Sequence, residues 1–294
     1  MAGEFDMDLG GTVAVVTGAT AGLGREVARG LVRRGAQVVI NARDPRRGAA
    51  AQADLGAGRP DAVTVLPMDV SDQGSIRSFA AEVQARFGQV DVLVNNAGAW
   101  FTDRRASVDG LELTFATNVI GPYLLTALLL DPLRAAPAAR VVNVVSSISG
   151  DFDASDLQFT RRRYDGFQAY AQSKAALRLL TWSFADELAN TPVTVNAAAP
   201  GFVRTEFNRN ATGARAVMIN LSARLFGASP AAGADTPLWA ALDPSLRGRT
   251  GAYFTGRTEK DGGPRDPAVI TDLRRQCADL TSTVQPDRRQ QDRP

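Results

Sequence analysis

Two kinds of hydrophobic pattern alternate along this chain. Short, nearly unbroken β-branched runs are followed by longer stretches whose apolar residues recur every three or four positions. The first pattern suits strands buried on both faces of a parallel sheet, and the second suits helices with one buried face. Residues 13–17 are the first such run. Val27, Ala28, Leu31 and Val32 then share one helical face, and Gly35 is a stop signal. The same reading predicts strands at 37–41, 63–68, 90–95, 140–145 and 193–197, with a seventh at 251–255. It predicts helices at 46–55, 75–87, 111–133 and 170–189. Gly121-Pro122 bends or divides the third of these, because proline lacks the N–H a helix interior needs. Strands and helices alternating this often describe an α/β fold with a doubly wound parallel sheet.

Three segments break the rhythm. Residues 150–169 and 201–233 are irregular and carry aromatic and apolar residues, including Met218, Leu221 and Leu225. Loops at the carboxyl ends of parallel strands usually build the site, so both are candidates for substrate contact, and 201–233 is a candidate lid. The stretch from Ser282 is polar and proline-bearing, and is expected to be a disordered tail. This leaves one domain over 10–281, preceded by a short extension over 1–9.

Composition narrows the function. The chain has 294 residues, 45% of them hydrophobic, which is enough for a large core. Its 33 basic and 31 acidic residues nearly cancel, and no dense basic tract is interleaved with aromatics, which argues against nucleic acid as a partner. One cysteine, Cys277, and no histidine exclude a disulfide framework, a Cys/His zinc site and a His-dependent triad. No metal is expected. The amino-terminal stretch has no secretory pattern, and the longest apolar run is too short to span a bilayer. A soluble cytoplasmic protein without a transmembrane anchor is the expectation.

Chemistry enters with TGATAGLG at 17–24, directly after the first predicted strand. Gly18, Gly22 and Gly24, with Thr20 and Leu23 between them, allow a tight turn that brings backbone N–H groups and a helix amino terminus against a pyrophosphate. The second strand ends at NARD. An acid there would bind the ribose of NAD, whereas Arg43 suits a 2′-phosphate, with Arg25 or Arg46 as helpers. NADP(H) is therefore preferred and NAD(H) stays open, because Asp44 takes the acid's role if the strand ends later. Asp69 and Val70 follow the third strand and are expected near the adenine. Asn96, Ala97 and Gly98, in NNAG, follow the fourth, where glycine admits close approach and the asparagines tie turns. In YAQSK, Tyr170 and Lys174 stand four apart, on one helical face.

Together with Asn118, the serine pair at 146–147 and PGFVRT at 200–205, these pieces resemble a short-chain dehydrogenase/reductase. Within that family the likeness points to retinol-dehydrogenase-like members, through Arg43, the insert before Tyr170, PGFVRTEF and SPAAGADTPLWAAL. The resemblance implies a Rossmann-type fold of about seven parallel strands and hydride transfer between a nicotinamide and a carbonyl or alcohol carbon. It also implies assembly as a homodimer or homotetramer. By the same resemblance Tyr170 is the acid/base group, and Lys174 lowers its pKa and holds the nicotinamide ribose. A serine binds the substrate oxygen. Counting from the serine pair selects Ser147, the choice made here, and counting from Asn143 selects Ser146. Asn118 either carries a water-linked proton path or is a buried asparagine bonded to backbone. Ser173 either steadies the cofactor or is a helix-surface residue. Pro200, Gly201, Val203 and Thr205 flank the cofactor.

Trp100, Phe152, Phe159, Phe167, Phe202, Phe207 and Phe226 lie in or beside the proposed site regions. Facing inward they make a lipophilic pocket for a hydrophobic aldehyde, ketone or secondary alcohol. Facing elsewhere they pack the inserts or a subunit interface. Arg161 to Arg163 either attract an anionic substrate or are an ordinary exposed run. The alternative to an enzyme is a cofactor-binding regulatory or assembly protein with little turnover.

Overall fold

A computed structural model of the chain describes residues 7–148, 152–201, 203 and 227–281. The expected disordered tail lies outside these residues, as do most of the 1–9 extension and most of the candidate lid. Thr205, Phe202, Phe207, Met218, Leu221, Leu225 and Phe226 are outside them too.

Among the described residues, eight strands form one sheet. They are β1 (Val13–Val16), β2 (Gln37–Ala42), β3 (Val63–Pro67), β4 (Val92–Asn95), β5 (Arg140–Val144), β6 (Thr194–Ala199), β7 (Tyr253–Thr255) and β8 (Thr258–Lys260), in the order β3-β2-β1-β4-β5-β6-β7-β8. The first seven are parallel, as expected, and β8 adds an antiparallel edge through a tight turn after β7. The order reverses between β1 and β4, so a crevice opens at the carboxyl ends of those strands.

Strand residues alternate between two cores, as a period of two requires. Ala14, Val16, Val92, Val94 and Val142 enter the layer under α1 (Gly22–Arg33), α2 (Pro45–Leu55) and α8 (Pro230–Leu242). Val15, Leu93, Val141 and Val195 enter the layer under α3 (Gln73–Arg86), α5 (Gly121–Leu128), α7 (Gly166–Glu187) and α9 (Pro267–Thr281). The short helices α4 (Leu113–Phe115) and α6 (Leu130–Ala135) flank α5. Among the described residues, no helix is long and apolar enough to cross a membrane.

The predicted helix over 111–133 is divided. A π-helical turn, Ala116–Ile120, separates α4 from α5, directly before Gly121-Pro122. Pro122 cannot donate to the Asn118 carbonyl, and the wider turn absorbs that missing bond. Gly121 has its own reason. A Cβ there would stand 2.3 Å from the Val70 carbonyl oxygen, so α5 crosses the loop after β3 at a distance only glycine allows. The helix predicted at 170–189 begins four residues earlier, because the Asp165 carboxylate caps it by accepting from the N–H groups of Phe167 and Gln168.

Gly121→Ala should destabilise the protein by about 1–3 kcal/mol, the usual cost of forcing one extra carbon into a packed contact. Urea unfolding reads this directly. A change within error would mean that α5 and the Val70 loop separate freely.

Candidate active site

Where parallel strands end, their last backbone groups lose ladder partners, and buried polar side chains take over. The Thr17 hydroxyl accepts from the N–H groups of Asn96 and Ala97, both at 3.0 Å, and the Asn96 amide donates to the Thr17 carbonyl at 2.8 Å. Asn41 accepts from the Gly18 N–H at 2.7 Å and donates to the Met68 carbonyl at 3.1 Å. The ends of β1, β2, β3 and β4 are thus tied to one another around the glycine loop.

The loop glycines divide their work. Gly18 and Gly22 have φ of 68° and 60°, a region that favours glycine. Gly24 lies under the loop, where a Cβ would meet the Asn96 amide nitrogen at 2.3 Å and the Gly18 carbonyl oxygen at 2.6 Å. Helix α1 begins after Ala21 with no side-chain cap, so its first N–H groups and the positive end of its dipole face the crevice. That arrangement, with a backbone close enough to exclude any Cβ, fits a dinucleotide's pyrophosphate.

One cavity of about 390 Å³ runs from this loop to the start of α7. It brings together Gly18, Thr20, Gly22, Leu23, Gly24, Arg43, Asp69, Val70, Asn96, Ala97, Gly98, Ser146, Ser147, Tyr170, Lys174, Pro200, Gly201 and Val203. Asn118 is not part of the lining. It is fully buried, accepts from the Ala99 N–H at 2.8 Å, and donates to the Ala99 carbonyl and the Ser173 hydroxyl, both at 2.9 Å. Both amide hydrogens are therefore spent on bracing. Ser173 is buried and passes the brace to the Tyr170 carbonyl at 2.7 Å.

At the mouth of the site the Ser146 side chain is hydrogen-bonded to Tyr170. Of the serine pair, Ser146 meets the phenol, whereas Ser147 also lines the cavity and is exposed. The extra valine after Asn143 shifts the count by one. Burial raises the Tyr170 phenol, and Ser146 offsets part of that rise. Lys174 donates to the Val144 carbonyl at 2.9 Å, and burial lowers its ammonium to about 8. In this state Ser146 is the group drawing the phenol down, and the Lys174 charge is held by a strand carbonyl. The neighbouring Tyr164 is a structural residue. Its hydroxyl donates to the buried Glu112 carboxylate at 3.0 Å, and burial followed by that charge raises its pKa.

At the far end, Arg43 lies 3.4 Å from Asp69, and Asp69 also accepts from the Ser71 N–H and hydroxyl at 2.9 and 2.8 Å. Asp44 caps α2 by accepting from the N–H groups of Arg46 and Arg47. The second arginine lining the cavity is Arg47 rather than Arg25 or Arg46. Sequence reasoning missed it, although a capping Asp-Pro pair at 44–45 places residue 47 in the first helical turn. Arg25 pairs with Asp54 instead. The aromatic residues also separate. Trp100 and Phe167 line the cavity with rings 6.3 Å apart, and Phe101, not anticipated, joins them. Phe152 packs on the core, and Phe159 packs within the insert against Arg162 and Tyr164. Arg161 and Arg162 are bonded inside the insert.

This combination of a doubly wound sheet, a glycine loop at the switch point and a Tyr-Lys helix beside a serine defines a nicotinamide-type oxidoreductase site. The short chain dehydrogenase family model matches residues 12–216, and the chain belongs to that family. It is 34% identical to human retinol dehydrogenase 13 over 97% of this chain and 88% of that protein. It is 39% identical to mouse polyprenol dehydrogenase over 90% of this chain and 81% of that protein. Among solved structures, an uncharacterized protein from Mycobacterium paratuberculosis superposes with a TM-score of 0.75 at 31% identity, covering 96% of this chain and 97% of that one. The Pseudomonas aeruginosa RhlG/NADP active-site complex superposes with a TM-score of 0.65 at 27% identity, over 84% and 95%.

The lowered lysine has a measurable consequence. Lys174 ordinarily titrates at 10.5, and here at about 8. Between those values the unfolded chain holds the proton and the folded chain releases it, so stability rises with pH across that window. Lys174→Met removes the effect. The stability of the wild type relative to Lys174→Met should increase on the order of 3 kcal/mol between pH 8 and 10.5. Denaturant melts of both proteins at several pH values test this. A constant gap would mean that the ammonium is not held out of water.

Proposed function

We propose that this protein is an NADP(H)-preferring oxidoreductase acting on a fairly hydrophobic aldehyde, ketone or secondary alcohol. The observation carrying the reading is the Ser146–Tyr170 pair at one end of the cavity, with Arg43 and Arg47 at the other. The nicotinamide cofactor, when bound, supplies or accepts the hydride. The amino end of α1 and the Gly18–Gly24 loop hold the pyrophosphate. Asp69 and Val70 hold the adenine, and Arg43 and Arg47 hold the 2′-phosphate. Asp44 is spent on capping α2, and the residue directly after β2 is Arg43 rather than an acid, and the solved RhlG complex binds NADP. Gly98, Pro200, Gly201, Val203 and Thr205 complete the nicotinamide side.

In reduction, Tyr170 gives its hydroxyl proton to the substrate oxygen as negative charge develops there. In oxidation it takes that proton back. Ser146 donates to the same oxygen and stabilises its charge. Lys174 holds the ribose hydroxyls and favours phenolate through its positive charge, which opposes the rise caused by burial. Asn118 acts through Ala99 and Ser173 to fix the loop after β4 against α7. Trp100, Phe101, Leu113, Ile148 and Phe167 give the substrate an apolar wall. Assembly as a homodimer or homotetramer is supported by the family likeness.

Titration calorimetry should show NADPH binding more tightly than NADH. Arg43→Ala should weaken NADPH roughly 10- to 100-fold, the loss of one charge-assisted contact, and leave NADH nearly unchanged. Equal loss for both cofactors would overturn the 2′-phosphate assignment. In a carbonyl screen, Tyr170→Phe and Ser146→Ala should each lower turnover by about 10²- to 10⁴-fold. Ser147→Ala should stay within about threefold of the parent, below the smallest effect of a reacting group. If Ser147→Ala proved the more damaging serine change, the oxygen-binding role would return to Ser147.

A further inference from the structure

Each turn of α7 has two sides, and the reaction uses only one. Tyr170 and Lys174 face the cavity. Gln172 is about 200° around the helix from Tyr170, on the opposite side. It is 2% exposed and reaches into the insert that joins β5 to α7. Its amide nitrogen donates to the carbonyls of Asp156 at 3.2 Å and Leu157 at 3.3 Å. Its oxygen accepts from the Asp153 N–H at 3.2 Å and the Arg162 guanidinium at 3.0 Å. Two donors meet two carbonyls and two lone pairs meet two N–H groups, so the amide is saturated and only one orientation fits.

The insert it grips is itself tightly determined. The buried Asp156 carboxylate accepts from the N–H groups of Thr160, Arg161 and Arg162, from the Thr160 hydroxyl and from the Arg162 guanidinium. Gln276 of α9 donates to the Ala154 carbonyl at 3.0 Å, and Gln158 accepts from the Glu112 N–H at 3.1 Å. The insert is therefore bolted to α9, to the start of α4 and to α7. Ser146 precedes this segment and Tyr170 follows it.

From this geometry we infer that Gln172 is a positioning residue that sets Tyr170 against Ser146 by locking the insert onto the back of the catalytic helix. The inference rests on Tyr170 and Ser146 being the proton-transfer pair. Gln172→Leu puts an apolar side chain of comparable size there and removes all four hydrogen bonds. Turnover should fall about tenfold or more while KM and the NADPH dissociation constant stay within about threefold, because the loss appears only where reacting groups must be aligned.

A second readout needs no substrate. The ultraviolet phenolate titration of Tyr170, taken as the difference between a protein and its Tyr170→Phe form, should move up by about half a pH unit or more in Gln172→Leu as the bond from Ser146 slackens. A lower melting temperature with unchanged titration and unchanged turnover per folded molecule would overturn the proposal and leave Gln172 a stabilising residue only. If Gln172→Leu does not fold, Arg162→Met, which removes one of the four bonds from the insert side, is judged by the same two readouts. A wild type that turns over no carbonyl, with a titration shift still present, would refute the enzymatic reading and not the positioning role.

Discussion

The structure depends on how the carboxyl ends of its parallel strands are finished. A parallel ladder stops at different heights on neighbouring strands, and the exposed backbone groups must find partners or pay desolvation. Here short polar side chains supply them. Thr17 and Asn96 join β1 to β4, and Asn41 joins β2 to the glycine loop and to the residue after β3. Deeper down, Asn95 donates to Asn143 and to Thr126, and Asn143 donates to Thr181 on α7. These bonds are buried, so each is expensive to leave unmade. They hold open a crevice that hydrophobic packing alone would fill.

The site inherits that rigidity. Its polar groups are mostly engaged with protein before any ligand arrives, so little reorganisation is left for the reaction. The Tyr170 phenol sits between opposing influences, with burial raising it and Ser146 lowering it. Lys174 shares the same dry environment and loses part of its hold on its proton. Two groups that burial pushes toward neutrality stand together on one helical face, so one cofactor or substrate oxygen can change the balance for both.

Much of this was legible in the chain. The apolar runs located the seven parallel strands because strands buried on both faces admit few polar residues. The glycines, Asp69-Val70, NNAG and the Tyr-Lys spacing led to one cavity because each follows a strand end or lies on one helical turn. What escaped has physical reasons too. Helix α8 carries Pro237 and little polar patterning, so its period was hidden. Helix α9 buries only Leu273, Cys277 and Thr281 fully, its other apolar residues are partly covered, and it adjoins the polar stretch after Ser282, so it was passed over. Arg47 depended on the capping geometry of Asp44. The choice between Ser146 and Ser147 turns on one extra valine after Asn143, which spacing alone leaves open. Gln172 was passed over because a glutamine beside a reactive pair shows its importance only through what lies behind it.

The antiparallel strand β8 has a consequence outside the site. Without it, β7 would be the sheet's open margin, and its unpaired backbone N–H and C=O groups would present a template for another chain. Instead the margin is three residues long, exposed at each, and carries Glu259 and Lys260, with Glu259 also paired to Arg249. So short and charged a border discourages strand-to-strand recruitment between molecules. The hairpin therefore bears on colloidal behaviour, letting the protein be crowded without its sheet growing.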